Sequence, residues 1–203
     1  GVKCMIMIDD SGIKAGAASE ATIDKALGCL DIALKQKLPC VHLVESAGVD
    51  LPNYSVKLWS KFGSVFYKKA KLSAAGIPVI AILHGFSTAG GAYQIGMSDY
   101  VIGVKGNGMA ALAGSALLKA ATGENASNSD IGGVEMHSVV TGSVEYLVND
   151  DAESIVTVRQ LIDQLNWNEN DAQKTTLNFE EPEYSIEDLV GIVPTDYSKG
   201  YDV

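Results

Sequence analysis

Apolar residues along the chain follow two alternating patterns, short continuous runs and longer stretches with a spacing of three and four. Each short run is bounded by turn residues and has the length of a buried β-strand. These runs are residues 4–8, 40–44, 78–83 and 99–104. The longer stretches have the period of amphipathic helices, and Ser19 is placed to cap the first of them. The predicted helices are residues 19–37, 55–75 and 151–165.

Strands that alternate with helices indicate an α/β domain with a parallel sheet and right-handed crossovers. The run at 78–83, Pro-Val-Ile-Ala-Ile-Leu, has no polar alternation, so we expect both of its faces to be covered. Loops at the carboxyl ends of neighbouring parallel strands converge on one crevice. The loops after the runs at 40–44 and 78–83 are therefore expected to lie side by side.

Composition limits the classes of function. The chain has 203 residues, of which 47% are hydrophobic and 20% charged, enough to form a core without cross-links. Cys4, Cys29 and Cys40 do not make a complete disulfide framework, which fits a reducing compartment. The isolated histidines and the lack of a Cys-x-x-Cys pair predict no metal site. The sequence has no run of 18 apolar residues and no secretory signal, so we expect the cytoplasm or the mitochondrial matrix.

The net charge of −10 is concentrated near the end of the chain. Residues 168–203 contain nine acidic residues and two lysines, which leaves residues 1–167 with a net charge of only −3. We expect residues 1–167 to form the folded domain and residues 168–203 to form an acidic linker or arm. This charge does not favour nucleic acid or an anionic membrane as a partner.

Two glycine-bearing loops are candidates for chemistry. Residues 88–93, Thr-Ala-Gly-Gly-Ala-Tyr, follow a buried strand and open a predicted helix, whose first amides have no intrahelical acceptor. Gly48 lies in the loop after the preceding strand, so its amide could face that of Gly91. Two such amides would form an oxyanion hole for a developing thioester enolate. Taken alone, the same residues also suit a tight turn and an ordinary strand-to-helix loop.

A second hypothesis is a serine hydrolase. Residues 85–89, Gly-Phe-Ser-Thr-Ala, are close to the nucleophile elbow pattern and place Ser87 at a strand-to-helix turn. His137 lies downstream, with Asp99 and Asp130 between them as possible third members of a triad. Ser next to Gly is also common at turns that have no catalytic role.

A row of five lysines is the main basic feature of the chain. They lie on the second predicted helix and are Lys57, Lys61, Lys68, Lys69 and Lys71. Such a row can hold phosphates, but long basic side chains more often form a solvated helix face. We therefore expect these lysines to be exposed.

Several motifs occur together in a fixed order along nearly the whole chain, from about residue 3 to residue 202. They are Leu-Val-Glu-Ser-Ala-Gly at 43–48, Phe-Gly-Ser-Val-Phe-Tyr at 62–67, Ala-Ala-Gly-Ile-Pro at 74–78, the segment at 88–93, Leu-Lys-Ala-Ala-Thr-Gly-Glu at 118–124, Gly-Gly at 132–133, His137 and Ser-Val-Glu-Tyr-Leu at 143–147. In this order they resemble the carboxyltransferase (beta) subunit of biotin-dependent acyl-CoA carboxylases. The Ala-Thr-Gly-Glu form is most similar to the methylcrotonyl-CoA and geranyl-CoA carboxylase branch.

The resemblance implies a ClpP/crotonase-like ββα superhelix that is the N-terminal half of a two-domain subunit. This half would hold the acyl-CoA, and the C-terminal domain would hold carboxybiotin delivered by a biotin carboxylase and carrier subunit. The two halves would meet across a subunit interface, commonly in a hexamer. Biotin would carry the CO2 and, after releasing it, act as the base. The protein would supply positioning and amide stabilisation of the enolate, with no side-chain nucleophile.

Residue by residue, the resemblance implies two groups of site residues. The donor amides would be those of Gly48, Gly90 and Gly91, and the border of the CoA site would include Lys14, Gly16, Ala47 and Ala89. The chain departs from the family where relatives carry glycine at positions 15 and 47, often arginine at position 64 and often two prolines at 115–116. These departures leave a third hypothesis open, a non-catalytic assembly domain that retains the fold.

Overall fold

The chain divides into two units, Gly1–Gln173 and Lys174–Val203. Its computed structural model describes residues 1–167, 181–192, 194–196 and 198–201. The described part of the second unit contains a short 3₁₀ turn, Ile186–Leu189, with Ser185 as its N-cap. Residues 168–180, where the acidic arm is predicted to begin, lie outside the described residues. The boundary of the arm therefore stays a prediction.

A parallel sheet forms the centre of the first unit. Its strands are β1 (Met5–Ile8), β2 (Cys40–Ser46), β3 (Val79–Thr88), β4 (Tyr100–Val104), β5 (Met109–Ala111) and β6 (Tyr146–Val148). The order is β1-β2-β3-β4-β6, and β5 pairs with the last residues of β3. Each of these pairings is parallel. The carboxyl ends of β1, β2 and β3 therefore point to the same edge of the sheet.

Capping side chains set the start of the long helices. The helices are α1 (Glu20–Gln36), α2 (Val56–Ala74), α3 (Gly90–Gly96), α4 (Ser115–Thr122), α5 (Asn128–Gly132), α6 (Val134–Met136) and α7 (Asp151–Gln164). Ser19 accepts a hydrogen bond from the amide of Thr22, and Ser55 accepts one from the amide of Leu58. A cap of this kind stabilises a protein by about 1 kcal/mol. The three predicted helices are confirmed to within one residue at each end.

Helices cover both faces of the sheet. On one face, α1 and α2 pack in one cluster with Cys40 and Val79, and on the other α7 places Leu161 in a cluster with Val41 and Ile80. Successive residues of a strand point to opposite faces, so a central strand between two helical layers is buried on both sides. The predicted burial of both faces of the strand at 78–83 is confirmed for the residues that belong to β3.

Two strand predictions are corrected by the structure. The run at 4–8, predicted to be buried, forms the edge strand β1, in which Ile6 and Ile8 are 59% and 67% exposed. An apolar run shows that a strand has a buried face but not that both of its sides are covered. The strand predicted at 78–83 continues to Thr88, because the short strand β5 pairs with its last three residues. The strands β5 and β6 were not predicted from the sequence patterns.

Candidate active site

Three loops meet at the carboxyl edge of the sheet, after β1, β2 and β3. The first two are joined by main-chain hydrogen bonds, from the amide of Ala47 to Ala15 O (3.1 Å) and from the amide of Ala18 to Gly48 O (2.7 Å). The hydroxyl of Ser46 also donates a hydrogen bond to Gly16 O (2.9 Å), in the short turn after β1. The crevice expected for parallel strands is thus formed by loops that hold one another in place.

A sharp elbow joins β3 to α3. Its corner residue is Ala89, with φ 51° and ψ −122°, a conformation that residues other than glycine rarely adopt. The amide of Ala89 donates to Ala111 O (3.1 Å) and Leu112 O (3.2 Å), so β5 and the residue after it fix the corner. The helix therefore begins immediately after the strand, with Gly90 and Gly91 as its first residues.

The loop after β2 and the elbow after β3 are in contact. Gly48 has a φ of +85°, and a Cβ placed on it would lie 3.3 Å from the nitrogen of Gly90. A Cβ placed on Gly91 would lie 2.5 Å from the carbonyl oxygen of Ser46, closer than real Cβ atoms approach. Glycine is therefore needed at position 48 for its backbone conformation and at position 91 for space.

The three predicted donor amides differ in what they already bind. Gly90 and Gly91 are the first two residues of α3, where an amide has no intrahelical acceptor. Neither amide has another acceptor among the described residues. The amide of Gly48 donates to Ser46 Oγ at 3.1 Å. Of the three predicted donors, the amides of Gly90 and Gly91 are thus free, whereas that of Gly48 is engaged.

The residues predicted to border CoA lie on the same edge of the sheet. The side chain of Lys14 is 60% exposed, and its Nζ lies 3.1 Å from Asp50 Oδ2. Asp50 also accepts from Asn53 Nδ2 at 2.9 Å, which keeps its carboxylate facing the first loop. The structure therefore brings together all of the predicted site residues, Lys14, Gly16, Ala47, Gly48, Ala89, Gly90 and Gly91.

A cavity of about 670 Å³ reaches these loops. Part of its lining is apolar and comes from α1 and α2, including Ile23, Phe62 and Val65. The other part carries polar and main-chain groups, from His42, Ser46, Gly91 and Gln94. Gln94 is 6% exposed, and its Oε1 has no hydrogen-bond partner among the described residues. A largely apolar cavity with a few polar groups has the character of a small-molecule site.

A buried polar network lies beside this cavity. Lys69 of α2 is 0% exposed, and its Nζ lies 3.3 Å from His42 Nδ1 and 3.3 Å from Gln94 O. His42 Nε2 lies 3.2 Å from Asp9 Oδ2, just after β1. Burial lowers the pKa of Lys69 to about 8. Burial and the neighbouring ammonium also lower the pKa of His42, so its ring is neutral near pH 7.

Sequence reasoning missed this network, although a signal for it was present. The buried residues of α2 recur with helical spacing, and they are Leu58, Phe62, Val65, Lys69 and Leu72. A lysine on that stripe must enter the core. The prediction of an exposed lysine row holds for Lys57 and Lys71, holds only in part for Lys61 and Lys68, which are partly buried, and is wrong for Lys69.

The serine hydrolase hypothesis is not supported. Ser87 lies inside β3 rather than at the elbow, is 0% exposed, and its Oγ has no partner among the described residues. His137 uses both ring nitrogens elsewhere, at 3.0 Å from Thr141 Oγ1 and 2.7 Å from Ala110 O. The residue at the corner is Ala89, which has no nucleophile. Ser87 was predicted at a turn because the strand was predicted to end at residue 83, whereas β3 continues to Thr88.

In the part of the chain that the structure describes, no three side chains of His, Cys, Asp or Glu are grouped so that they could hold a metal ion. None of the helices in these residues combines the length and the apolar composition needed to cross a membrane.

Solved structures define the class of this fold. The beta subunit of geranyl-CoA carboxylase from P. aeruginosa is similar over 100% of this chain and 37% of its own, with a TM-score of 0.76 and 40% identity. A transcarboxylase 12S structure, described as a hexamer assembly with hydrolysed methylmalonyl-coenzyme A bound, is similar over 97% of this chain and 39% of its own. Its TM-score is 0.74 at 25% identity. The predicted crotonase-like α/β fold is confirmed.

Sequence comparison defines the family. The carboxyl transferase domain model matches residues 1–203, so the chain belongs to that family. It is 40% identical over 202 residues to the "Probable biotin-dependent acyl-coenzyme A carboxylase beta2 subunit" of Mycobacterium tuberculosis. That match covers 100% of this chain and 38% of the mycobacterial protein, so the chain spans well under half the length of its relatives. The resemblance to acyl-CoA carboxylase beta subunits is confirmed.

Proposed function

We propose that this chain is the acyl-CoA-binding part of a biotin-dependent carboxyltransferase. The observation that supports it is the pair of amides without acceptors, on Gly90 and Gly91, at a crevice whose other wall carries Gly48. When a proton leaves the carbon next to a thioester carbonyl, negative charge develops on the carbonyl oxygen. Main-chain donors already aimed at that oxygen stabilise the enolate without reorganising.

The remaining site residues have binding and orienting roles in this proposal. Lys14 is exposed at the rim of the crevice, where its ammonium can exchange Asp50 for a phosphate of CoA. Gly16 and Ala47 join the first two loops and Ala89 lies beside Gly48, an arrangement that would hold the thioester in one orientation. The amide of Gly48 joins the donor set if the thioester oxygen replaces Ser46 Oγ as its acceptor.

The free amides of Gly90 and Gly91 fit a thioester oxygen. The family resemblance implies that carboxybiotin binds the other half of the subunit. When it is bound, carboxybiotin supplies the CO2. We therefore assign no residue of this chain to biotin.

The proposed partners follow from the same family membership. They are an acyl-CoA, a biotin carboxylase and carrier subunit, a C-terminal carboxyltransferase domain reached through residues 168–203, and further copies of the chain in a hexamer-type assembly. The hexamer of the transcarboxylase 12S structure supports the proposed assembly, and the coenzyme A compound bound there supports an acyl-CoA as the ligand. The cytoplasm or the mitochondrial matrix stays a prediction for the compartment.

Calorimetry with the purified chain tests the binding step. The protein is titrated separately with acetyl-CoA, with a branched acyl-CoA and with CoA. CoA shares the nucleotide but lacks the thioester carbonyl oxygen. We expect both thioesters to bind more tightly than CoA, because only they can use the amides of Gly90 and Gly91. Folded protein that gives no heat with any thioester would contradict the proposal.

A turnover assay distinguishes the proposed catalytic domain from a non-catalytic assembly domain. The chain is combined with a separately produced C-terminal half, a biotinylated carrier and biotin carboxylase, and carboxylated acyl-CoA is measured. We expect product only when both halves are present. A complex that assembles and binds acyl-CoA but forms no product would favour the non-catalytic assembly domain instead.

A further inference from the structure

One face of α2 runs along α3, the helix that begins at the elbow. Three contacts join the two helices, Phe62 on Gly90, Phe66 on Tyr93 and Lys69 on Gln94. Residues three and four positions apart share a helix face, so positions 62, 66 and 69 form one continuous stripe. The aromatic contacts give shape to this interface, whereas the lysine contact is polar and directional.

Lys69 is the unusual member of the stripe. A fully buried ammonium is costly unless it is paired and hydrogen-bonded. Here its acceptors are the carbonyl oxygen of Gln94 and Nδ1 of His42, each at 3.3 Å. Because an ammonium only donates, Nδ1 must be the bare nitrogen of the imidazole. The proton then resides on Nε2 and is donated to Asp9 Oδ2 at 3.2 Å.

The imidazole therefore bridges two opposite charges. The carboxylate of Asp9 and the ammonium of Lys69 contact opposite nitrogens of the His42 ring. Asp9 also accepts from the amide of Glu45 at 3.3 Å. The network joins α2, β2, the end of β1 and α3. Its His42 and Gln94 line the same cavity as Gly91. A displacement of α3 would thus alter the cavity and the donor amides together.

We propose that Lys69 is a positioning residue, whose charge pair with Asp9 through His42 anchors α3, the helix that begins with the amides of Gly90 and Gly91. The significance of those amides rests on the proposed function. The anchoring itself does not, because it can be measured without any thioester.

The other titratable groups near the network are few among the described residues. Cys40 of β2 acts on Lys69, and His84 of β3 acts on His42. Burial raises the pKa of Cys40 to about 11, so this thiol is neutral wherever Lys69 titrates. Lys69 keeps its ammonium below about pH 8 and loses it above, so the anchor should weaken as the pH rises through that value.

Hydrogen exchange of the α3 amides in the ligand-free 203-residue chain tests the anchor. Lys69→Met keeps an unbranched side chain, one atom shorter, and removes the donor, and Lys71→Met makes the same change at an exposed position of the same helix. We expect Lys69→Met to raise α3 exchange about tenfold and Lys71→Met to leave it within about twofold. The ratio between Lys69→Met and wild type should fall toward one between pH 7 and pH 9.

Unchanged α3 exchange in a folded Lys69→Met protein would overturn the proposal. If that variant does not fold, nitrogen NMR of wild-type His42 decides, because the anchor requires a neutral ring with its proton on Nε2. A proton on Nδ1, or on both nitrogens at pH 7, would overturn it as well. A wild-type chain that binds no thioester would defeat the proposed function while leaving both of these measurements decisive for the anchor.

Discussion

The elbow and the network behind it lie side by side and are built in opposite ways. The elbow and the loop after β2 expose main-chain groups, and their important residues, Gly48, Ala89 and Gly91, have small side chains or none. The network consists of long side chains, Lys69 above all, that meet from separate elements. The first region is therefore sensitive to added volume, and the second to a change of charge.

The largest effect is expected from adding one methyl group at the elbow. In Gly91→Ala the new Cβ would lie 2.5 Å from Ser46 O, a main-chain atom that cannot move without moving β2. The displaced amides should cost about 10²–10³-fold in carboxyl transfer, the loss seen when one oxyanion donor is removed. The rate of acyl-CoA carboxylation in the reconstituted complex measures it.

The matched control is the glycine at the other end of the same helix. A Cβ on Gly96 meets nothing within 4 Å, so Gly96→Ala should keep the rate and stabilise the helix by about 0.5–1 kcal/mol. Equal rates for Gly91→Ala and Gly96→Ala would show that the close approach of the loops has no role in the reaction.

The second prediction concerns the pH dependence of stability. Burial lowers the pKa of Lys69 from 10.5 to about 8, so between these values the unfolded chain binds more protons than the folded one. Stability due to this group must then rise with pH through that window. Relative to Lys69→Met, the wild type should gain about 3 kcal/mol of unfolding free energy between pH 7 and pH 11.

Denaturant unfolding at several pH values measures this difference. Burial raises the pKa of Cys40 to about 11, so this thiol titrates in the folded protein only at the upper end of that pH range. Local anchoring of α3 and global stability should thus change in opposite directions, because deprotonation removes both a hydrogen-bonded charge and the cost of burying it. A difference that does not vary with pH would be inconsistent with a buried ammonium at position 69.

A smaller effect is expected at Ser46, the last residue of β2. Ser46→Ala frees the Gly48 amide for a thioester oxygen but also removes the bond from the Ser46 hydroxyl to Gly16 O that joins the first two loops. Each hydrogen bond is worth about 1 kcal/mol, so the gain and the loss should nearly offset, and acetyl-CoA affinity should change by less than about fivefold. Calorimetry measures it, with Ser154→Ala as the control, since Ser154 is buried and binds a main-chain carbonyl on α7. A loss of affinity of more than about fivefold in Ser46→Ala alone would show that the bond to Gly16 O matters more than the freed Gly48 amide.

The smallest effect is expected at Ser87. Its hydroxyl is buried without a partner, so Ser87→Ala should leave stability unchanged or raise it by up to about 1 kcal/mol. Acetyl-CoA affinity should not change. A fluorophosphonate probe should leave the folded wild-type protein unlabelled, and labelling at Ser87 would restore the hydrolase hypothesis.

Local sequence patterns predicted the elements that depend on local physics. The helix after Ser19 was placed to within one residue because its cap and apolar spacing are both encoded within a few turns. The strands β5 and β6 were missed because three residues carry too little periodicity to be recognised. The extension of β3 to Thr88 depends on β5, which is why Ser87 was misplaced at a turn.

The amino-acid sequence by itself determined the family, the alternating strands and helices, and the two glycine loops, since each is written in neighbouring residues or in motifs of fixed order. Only the tertiary structure decided that the Gly48 amide already donates to Ser46, that β1 is an edge strand, and that Lys69 is buried against His42 and Gln94. The reason is that these contacts join residues far apart in the chain. Whether a polar group is satisfied depends on which partner the fold brings to it.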